Sequence, residues 1–205
     1  MKQYPSIPHL DKFLFGETIW AFDKIDGSNL RFTWERKRGW TKFGSRRVVI
    51  DQNSNLQEGI QIFMNKYSED LERIFLDKYK SVQEITVFGE FFGDGSFAGQ
   101  HVEIDPKDVI LFDVNVYKRG LIPPSEFIKN FGDLDIPDLI YQGIFDESFI
   151  KEVKENKFNL KEGVIVKSSI NKVTYMTKIK TNDWLNKVKE KLGEKRLKEE
   201  LYGEF

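Results

Sequence analysis

The chain has 205 residues, 40% of them hydrophobic and 14% aromatic, which is enough to bury one sizeable core. Its 32 Lys and Arg residues and 33 Asp and Glu residues give a net charge of −1, which excludes the strongly basic balance of many nucleic-acid-binding domains, so any contact with nucleic acid must use a local patch. The absence of Cys excludes disulfides and thiolate chemistry, and no segment resembles a signal peptide or a membrane span, so we expect a cytoplasmic protein with no membrane partner.

The first elements are predicted to be strands. Residues 18–36 predict two strands joined through Asp26-Gly27-Ser28, because Leu30, Phe32 and Trp34 alternate with polar residues. Gly39 predicts a tight turn before a third strand, and together these segments form an antiparallel β opening.

A helix is predicted after this β opening. Apolar residues there recur at three- and four-residue steps: Leu56, Ile60, Phe63, Tyr67, Leu71, Ile74 and Phe75. Ser54 and Gln57 are a candidate capping box, and a break is expected near Ser68.

The rest of the chain mixes strands and helices without regular alternation. Strands are predicted at 84–92, 108–117, 163–168 and 173–180, a short helix at Pro123-Pro124-Ser125, and further helices at 146–156 and 182–202. This order favours an α+β fold with largely antiparallel sheets and flanking helices. We expect one domain over 1–181 and a helical extension over 182–205.

Five short segments in order carry the functional signal. They are Lys24-Ile25-Asp26-Gly27, Phe88-Gly89-Glu90-Phe91-Phe92-Gly93, Ile110-Leu111-Phe112-Asp113-Val114, Glu162-Gly163-Val164-Ile165-Val166-Lys167, and Lys178-Ile179-Lys180. The series resembles motifs I, III, IIIa, IV and V of the covalent nucleotidyltransferase superfamily, and is most similar to ATP-dependent RNA ligases. The resemblance covers about residues 20 to 180.

The resemblance makes Lys24 the nucleophile that takes a nucleoside monophosphate, with Asp23 and Ile25 beside it in the nucleotide-binding site. An amine attacks only when unprotonated, so desolvation or neighbouring positive charge must favour its neutral form. Lys178 and Lys180 could supply that charge, since residues two apart on a strand share a face. The resemblance places both lysines in catalysis and on the α-phosphate.

Three further residues receive roles from the resemblance. Glu90 is expected to bind the ribose hydroxyl, Phe112 to stack on the purine, and Glu162 to hold a divalent metal ion. Carboxylate oxygens suit Mg²⁺ or Mn²⁺, and aromatic rings suit base stacking.

Basic residues near position 45 are weaker candidates. The resemblance implies an arginine near the ribose or the RNA end, for which we favour Arg46 although Arg47 stays an alternative. Arg31 is another candidate phosphate contact. His9 and His101 lack the spacing of metal ligands.

The resemblance implies an ATP-dependent RNA ligase that uses Mg²⁺ or Mn²⁺, adenylylates a 5′-phosphate RNA end and joins it to a 3′-hydroxyl. A capping-type guanylyltransferase, a DNA ligase catalytic domain and a noncatalytic nucleotide- or RNA-binding module are the alternatives.

Relatives usually continue into a second domain, often an OB-fold, whereas 205 − 180 leaves 25 residues here. We therefore expect no C-terminal OB-fold. The terminal helix replaces it, a partner protein supplies it, or the chain adenylylates well and seals poorly.

Overall fold

The computed structural model describes residues 1–50, 56–94 and 105–202. They form an α+β fold with two antiparallel sheets and flanking helices, which confirms the predicted class. The contacts divide the chain into two compact units. Unit 1 contains Met1–Tyr4 and Asp26–Ile136, and unit 2 contains Pro5–Ile25 and Pro137–Phe205.

The strands are β1 (Thr18–Asp23), β2 (Ser28–Glu35), β3 (Gly39–Ser45), β4 (Glu84–Phe92), β5 (Asp108–Val116), β6 (Gly120–Leu121), β7 (Leu139–Ile144), β8 (Gly163–Ile170) and β9 (Val173–Lys180). The helices are α1 (Gln57–Lys78), α2 (Pro124–Phe131), α3 (Glu147–Lys154) and α4 (Asn182–Tyr202). No helix in the described part of the chain is both long and apolar enough to span a bilayer.

Unit 1 is built on a five-stranded sheet in the order β3-β2-β4-β5-β6. The alternating apolar residues predicted for β2 share one side of the sheet, and Leu30, Phe32 and Trp34 are all buried against α1. The Phe32 and Phe63 rings stack with centroids 3.5 Å apart. This packing fixes which face of the sheet carries polar residues.

Helix α1 is continuous, so the predicted break near Ser68 was wrong. The Ser68 hydroxyl donates to the Met64 carbonyl oxygen at 2.5 Å, one turn earlier, which keeps this polar side chain compatible with the helix. The helix begins at Gln57, and the capping candidate Ser54 lies outside the described residues.

Unit 2 is built on a four-stranded sheet in the order β7-β1-β8-β9. Ile19, Val164 and Ile179 on one face pack with Phe149 and Val153 of α3 in a closed core. Strand β7 was not predicted. Both strands predicted within 18–36 are present, but they belong to different sheets, because β1 pairs with β7 and β8 whereas β2 pairs with β3 and β4.

The predicted terminal helix is present as α4, with a kink. The Thr181 hydroxyl accepts a hydrogen bond from the Trp184 backbone N–H at 3.1 Å and caps the helix, while Trp184 and Val188 are buried. Gly193 has a φ of 81°, which interrupts the helical conformation. Leu192, one residue before this kink, is exposed.

Candidate active site

The pairing of three strands in unit 2 brings Lys24, Glu162 and Lys180 together. The Lys24 backbone N–H, one residue after β1, donates to the Gly163 carbonyl oxygen at 3.0 Å. Gly163 opens β8 and is paired with Lys180 at the end of β9. Glu162, one residue before β8, therefore lies between the two lysines.

The side chains form a Lys–Glu–Lys triad. Lys24 Nζ donates to Glu162 Oε2 at 2.7 Å, and Lys180 Nζ lies 2.7 Å from Glu162 Oε1. Glu162 and Lys180 are 2% and 3% exposed, whereas Lys24 is 22% exposed. A buried carboxylate needs a compensating charge, and here two cations provide it while only Lys24 reaches solvent.

Lys178 lies on the same face of β9 as Lys180, paired with Ile165 of β8. Its backbone is fixed by the N-terminal part of unit 2, since Pro8 O accepts from its N–H at 3.0 Å and Leu10 N donates to its carbonyl at 3.1 Å. His9 takes part in the same bridge to β9.

Sequence reasoning assigned no role to Lys167, although it stands in the quoted Glu162–Lys167 segment. Lys167 is two residues from Ile165 on β8, so its side chain lies on the face of the sheet that carries Lys178. It is 4% exposed, and its Nζ lies 5.2 Å from the centroid of the Phe22 ring. The two-residue spacing between Ile165 and Lys167 in the sequence was the signal that could have placed Lys167 on this face.

Asp23 and Ile25 flank the nucleophile candidate and are both half-buried. The Asp23 backbone N–H donates to the Asp138 carbonyl oxygen at 2.9 Å. Burial raises the pKa of the Asp23 carboxyl, and the negative charge of Asp138 raises it further. Asp23 Oδ1 is buried and has no hydrogen-bond partner in the described part of the chain.

Glu90, Phe112 and Arg46 belong to unit 1. Glu90 lies in β4 between Asn29 of β2 and Ile110 of β5. Phe112 falls at a bulge, because Phe88 pairs with Asp113 whereas Gly89 pairs with Leu111. The bulge leaves Phe112 as the extra residue of β5.

The packing of unit 1 explains why residue 27 is a glycine. A Cβ atom there would lie 2.4 Å from the Phe91 carbonyl oxygen and 3.0 Å from Glu90 Cγ. Only glycine lets this backbone come so close to the strand that carries Glu90.

Tyr4 contacts Phe112 and its neighbour Asp113, which the sequence did not predict. Its ring lies edge-on to Phe112 with centroids 5.0 Å apart, and its hydroxyl donates to Asp113 Oδ2 at 2.8 Å. Burial raises the pKa of the Tyr4 hydroxyl well above its usual value, and the charges of Asp113 and Glu90 add to this. No local pattern links residue 4 to residue 112, so periodicity could not have found it.

Arg46 and Arg47 are exposed at the tip of a two-residue turn, closed by a hydrogen bond from Ser45 N to Val48 O at 2.9 Å. Arg31 is 2% exposed and donates to three backbone carbonyls, so its guanidinium supports this turn rather than facing outward as a phosphate contact. His101 lies outside the described residues.

Glu162 is compatible with the expected metal role. No cluster of three or more metal-ligating side chains occurs within 1–50, 56–94 and 105–202. A single carboxylate suits Mg²⁺, which takes one or two carboxylates and completes its shell with phosphate oxygens and water. A carboxylate has about four lone-pair positions, and the two ammonium groups occupy two of them.

Comparison with known proteins gives consistent results. The family model described as RNA ligase matches residues 17–180. A structure of Naegleria gruberi RNA ligase with PPi is similar, with a TM-score of 0.66, 14% identity, and coverage of 93% of this chain and 59% of that chain. A mutant of that ligase with ATP and Mn gives a TM-score of 0.64 and 14% identity, covering 92% of this chain and 61% of that one.

Another mutant, with AMP and Mn, gives a TM-score of 0.62 and 13% identity, covering 92% of this chain and 60% of that one. The chain thus spans about three fifths of the length of these structures. At this identity the likeness shows a shared fold. A search of curated proteins gave no match.

Proposed function

The chain belongs to the RNA ligase family, and from this we propose that it is an ATP-dependent RNA ligase that holds AMP covalently on Lys24. The observation that carries the proposal is the Lys24–Glu162–Lys180 triad, with two buried members and one solvent-reaching amine. A nucleophile has to meet its substrate, whereas its partners do not.

The proposed reaction has three transfers. The Lys24 amine attacks the α-phosphorus of ATP, a P–N bond forms, the bond to the β-phosphate oxygen breaks, and pyrophosphate leaves. A 5′-phosphate oxygen of RNA then attacks the same phosphorus, and the P–N bond breaks to give adenylylated RNA. Finally a 3′-hydroxyl attacks the RNA 5′-phosphate, and AMP leaves as the phosphodiester forms.

Lys180 lets Lys24 become neutral in this scheme. If Lys24 were the sole cation beside Glu162, loss of its proton would leave a buried carboxylate uncompensated. With Lys180 at the other oxygen, an ion pair remains after Lys24 loses its proton. Glu162 also orients the amine through the hydrogen bond at 2.7 Å.

The remaining candidates bind nucleotide in the proposal. Lys178 lies on the face of Lys180 and contacts the α-phosphate. Asp23 and Ile25 line the site next to the nucleophile, and the buried Asp23 Oδ1 is an acceptor for a donor on the nucleotide.

Three residues of unit 1 keep the roles that the resemblance implies. Glu90 accepts a hydrogen bond from the ribose, Phe112 stacks on the purine, and Arg46 contacts the ribose or the RNA end. Exposed or half-buried side chains at all three positions support these roles.

Glu162 would also hold Mg²⁺ or Mn²⁺. When bound, such an ion neutralises negative charge on the phosphates. The structures of the Naegleria ligase mutants with ATP or AMP and Mn support the choice of nucleotide and metal by analogy.

The proposal also covers organisation and context. Residues 1–181 act as the adenylylation domain and 182–205 as a helical extension. The substrates are RNA ends in the cytoplasm, and a partner protein contributes a second domain where sealing needs one.

Intact-mass measurement tests the proposal. The protein is incubated with Mg²⁺ and ATP, GTP or NAD⁺ in separate samples, and Lys24→Ala is the matched variant. We expect an added AMP with ATP alone and none in the variant. An added GMP, or an unmodified mass with all three, would contradict it.

A further inference from the structure

The net charge of −1 gives no global attraction for RNA, so a local surface must provide it. In unit 1, the segments Met1–Tyr4 and 40–50 contain no acidic residue. Lys2, Arg46 and Arg47 in these segments are all exposed. Asp51 follows, and it lies outside the described residues. We call Met1–Tyr4 the N-terminal strap and Ser45–Val48 the arginine turn.

The arginine turn is rigidly supported. Beyond the turn, Ile50 N donates to Phe43 O at 2.9 Å, which continues the hairpin from β3. Arg46 and Arg47 are the two central residues, so both side chains leave from the tip. Val48 and Val49 beside them are 62% and 65% exposed, which adds an apolar margin to a cationic tip.

The buried Arg31 side chain links the arginine turn to the N-terminal strap by hydrogen bonds. Its Nε donates to Ser45 O at 2.5 Å, one Nη donates to Val48 O at 3.4 Å, and the other to Lys2 O at 3.1 Å. Burial lowers the pKa of this guanidinium, whose charge is compensated by carbonyl dipoles. Three acceptors on separate backbone positions match the fork of a guanidinium and do not match a lysine.

The strap is held elsewhere as well. Tyr4 is buried and bonded to Asp113, and Gln3 Nε2 comes within 3.5 Å of the Arg47 carbonyl oxygen. A Cβ on Gly44 would lie 2.9 Å from both Met1 Sδ and Val48 O, so strap and turn are in close contact. The backbone of Lys2 is therefore held close to the arginine turn.

We propose that the N-terminal strap and the arginine turn form one docking surface for the phosphate backbone of single-stranded RNA, and that Arg31 is the positioning residue that holds it in its binding conformation. The inference rests on the proposed function in that RNA is taken as the substrate. Exposed guanidinium and ammonium groups bind phosphates, and a preformed arrangement loses less conformational entropy on binding.

Salt-dependent binding of a fluorescein-labelled single-stranded oligoribonucleotide with a 5′-phosphate tests the surface. For each lost phosphate contact, the negative slope of log K against log salt becomes less steep by about 0.7. We expect this change for Arg47→Ala and for Lys2→Ala, with affinity lowered by up to about fivefold. Lys37→Ala, an exposed cation in the turn at the opposite end of β3, is the matched control and keeps the wild-type slope. Equal slopes for all four proteins would overturn the docking surface.

A double-mutant cycle tests Arg31. Arg31→Lys keeps the charge and loses the fork, so we expect RNA affinity to fall about as far as in Arg47→Ala, with the double variant no weaker than the weaker single one. A purely stabilising role predicts a lower melting temperature with unchanged RNA affinity of the folded protein, and that result would overturn the positioning role.

If Arg31→Lys does not fold, Gly44→Ala serves as the second variant, since it displaces the turn without changing any charge. Weakened RNA binding supports the proposal, and wild-type binding contradicts it. Intact mass with ATP is recorded on the same samples. A chain that takes no AMP but shows the expected slopes contradicts the proposed function alone, whereas one that takes AMP but ignores Arg47 and Lys2 contradicts the docking surface alone.

Discussion

At the scale of single residues, Lys24 and Lys180 both contact Glu162 but differ in exposure, and this difference is the reason for proposing different roles. Lys180 is as buried as the carboxylate, whereas about a fifth of Lys24 is exposed. The order of the motifs indicates that these residues belong to one site. That each lysine takes a different oxygen of one carboxylate follows from strand register, which no local pattern in the sequence contains.

Replacing Lys180 with Met tests its role as the second cation. The apolar chain can still pack on Trp184, whose ring centroid is 5.5 Å from the present Nζ. Lys24 then becomes the sole cation of the triad, so its proton is harder to remove. We expect lysyl-AMP formation, followed by intact mass, to slow at least about tenfold at neutral pH and its profile to move to higher pH. Lys187→Met, an exposed lysine of α4, is the control, and an unshifted profile would argue against the scheme.

Asp23→Asn should stabilise the protein at neutral pH. Burial and Asp138 raise the pKa of Asp23 in the folded state, so native stability falls as pH rises from the unfolded pKa through the folded one. Asparagine removes this dependence. We expect a higher melting temperature than wild type at neutral pH and a difference that shrinks in acid, with the exposed Asp133→Asn as control. A constant difference at all pH values would exclude the charge as its cause.

At the scale of elements, Gly59 lies where α1 approaches the sheet of unit 1. A Cβ at this position would lie 2.8 Å from both Leu30 Cδ1 and Phe91 Cγ. Alanine is better than glycine in a helix by about 1 kcal/mol, but overpacking a core costs about 1 to 3 kcal/mol. The packing cost should therefore match or exceed the helical gain.

We expect Gly59→Ala to lower the free energy of unfolding by up to about 2 kcal/mol, measured by urea denaturation. Gln61→Ala on the exposed face of the same helix, where no such contact opposes the propensity, should leave stability nearly unchanged or raise it slightly. A stabilised Gly59→Ala would show that the Leu30 and Phe91 side chains move aside freely.

Local elements could be predicted from periodicity, and their pairing could not. The alternation in 28–35 and the three- and four-residue spacing in 57–78 predicted β2 and α1, because the apolar residues of each pattern lie on one side of the element. The separation of β1 from β2 depends on partners more than 100 residues away in β7 and β8. Strand β7 is an edge strand with no fully buried residue, so its pattern gives little signal.

At the scale of the whole molecule, the average charge does not reveal how the charges are distributed locally. A net charge of −1 correctly excluded a uniformly basic protein, yet three exposed cations collect around one turn and the N-terminal strap. The contacts that fix them connect residues 2 and 4 with residues near 45 and 113. Only the fold brings such distant segments together, so the sequence could predict the need for a patch but not its place.

The three transfers can be separated by supplying their intermediate. If Lys24 serves only to take AMP from ATP and pass it on, RNA that already carries a 5′-adenylyl group should bypass it. We expect Lys24→Ala to join such RNA to a 3′-hydroxyl end at about the wild-type rate, while failing to join 5′-phosphate RNA with ATP. Denaturing gel electrophoresis measures both reactions. If wild type forms lysyl-AMP but neither protein joins adenylylated RNA, these 205 residues carry out adenylylation, and sealing depends on a partner domain.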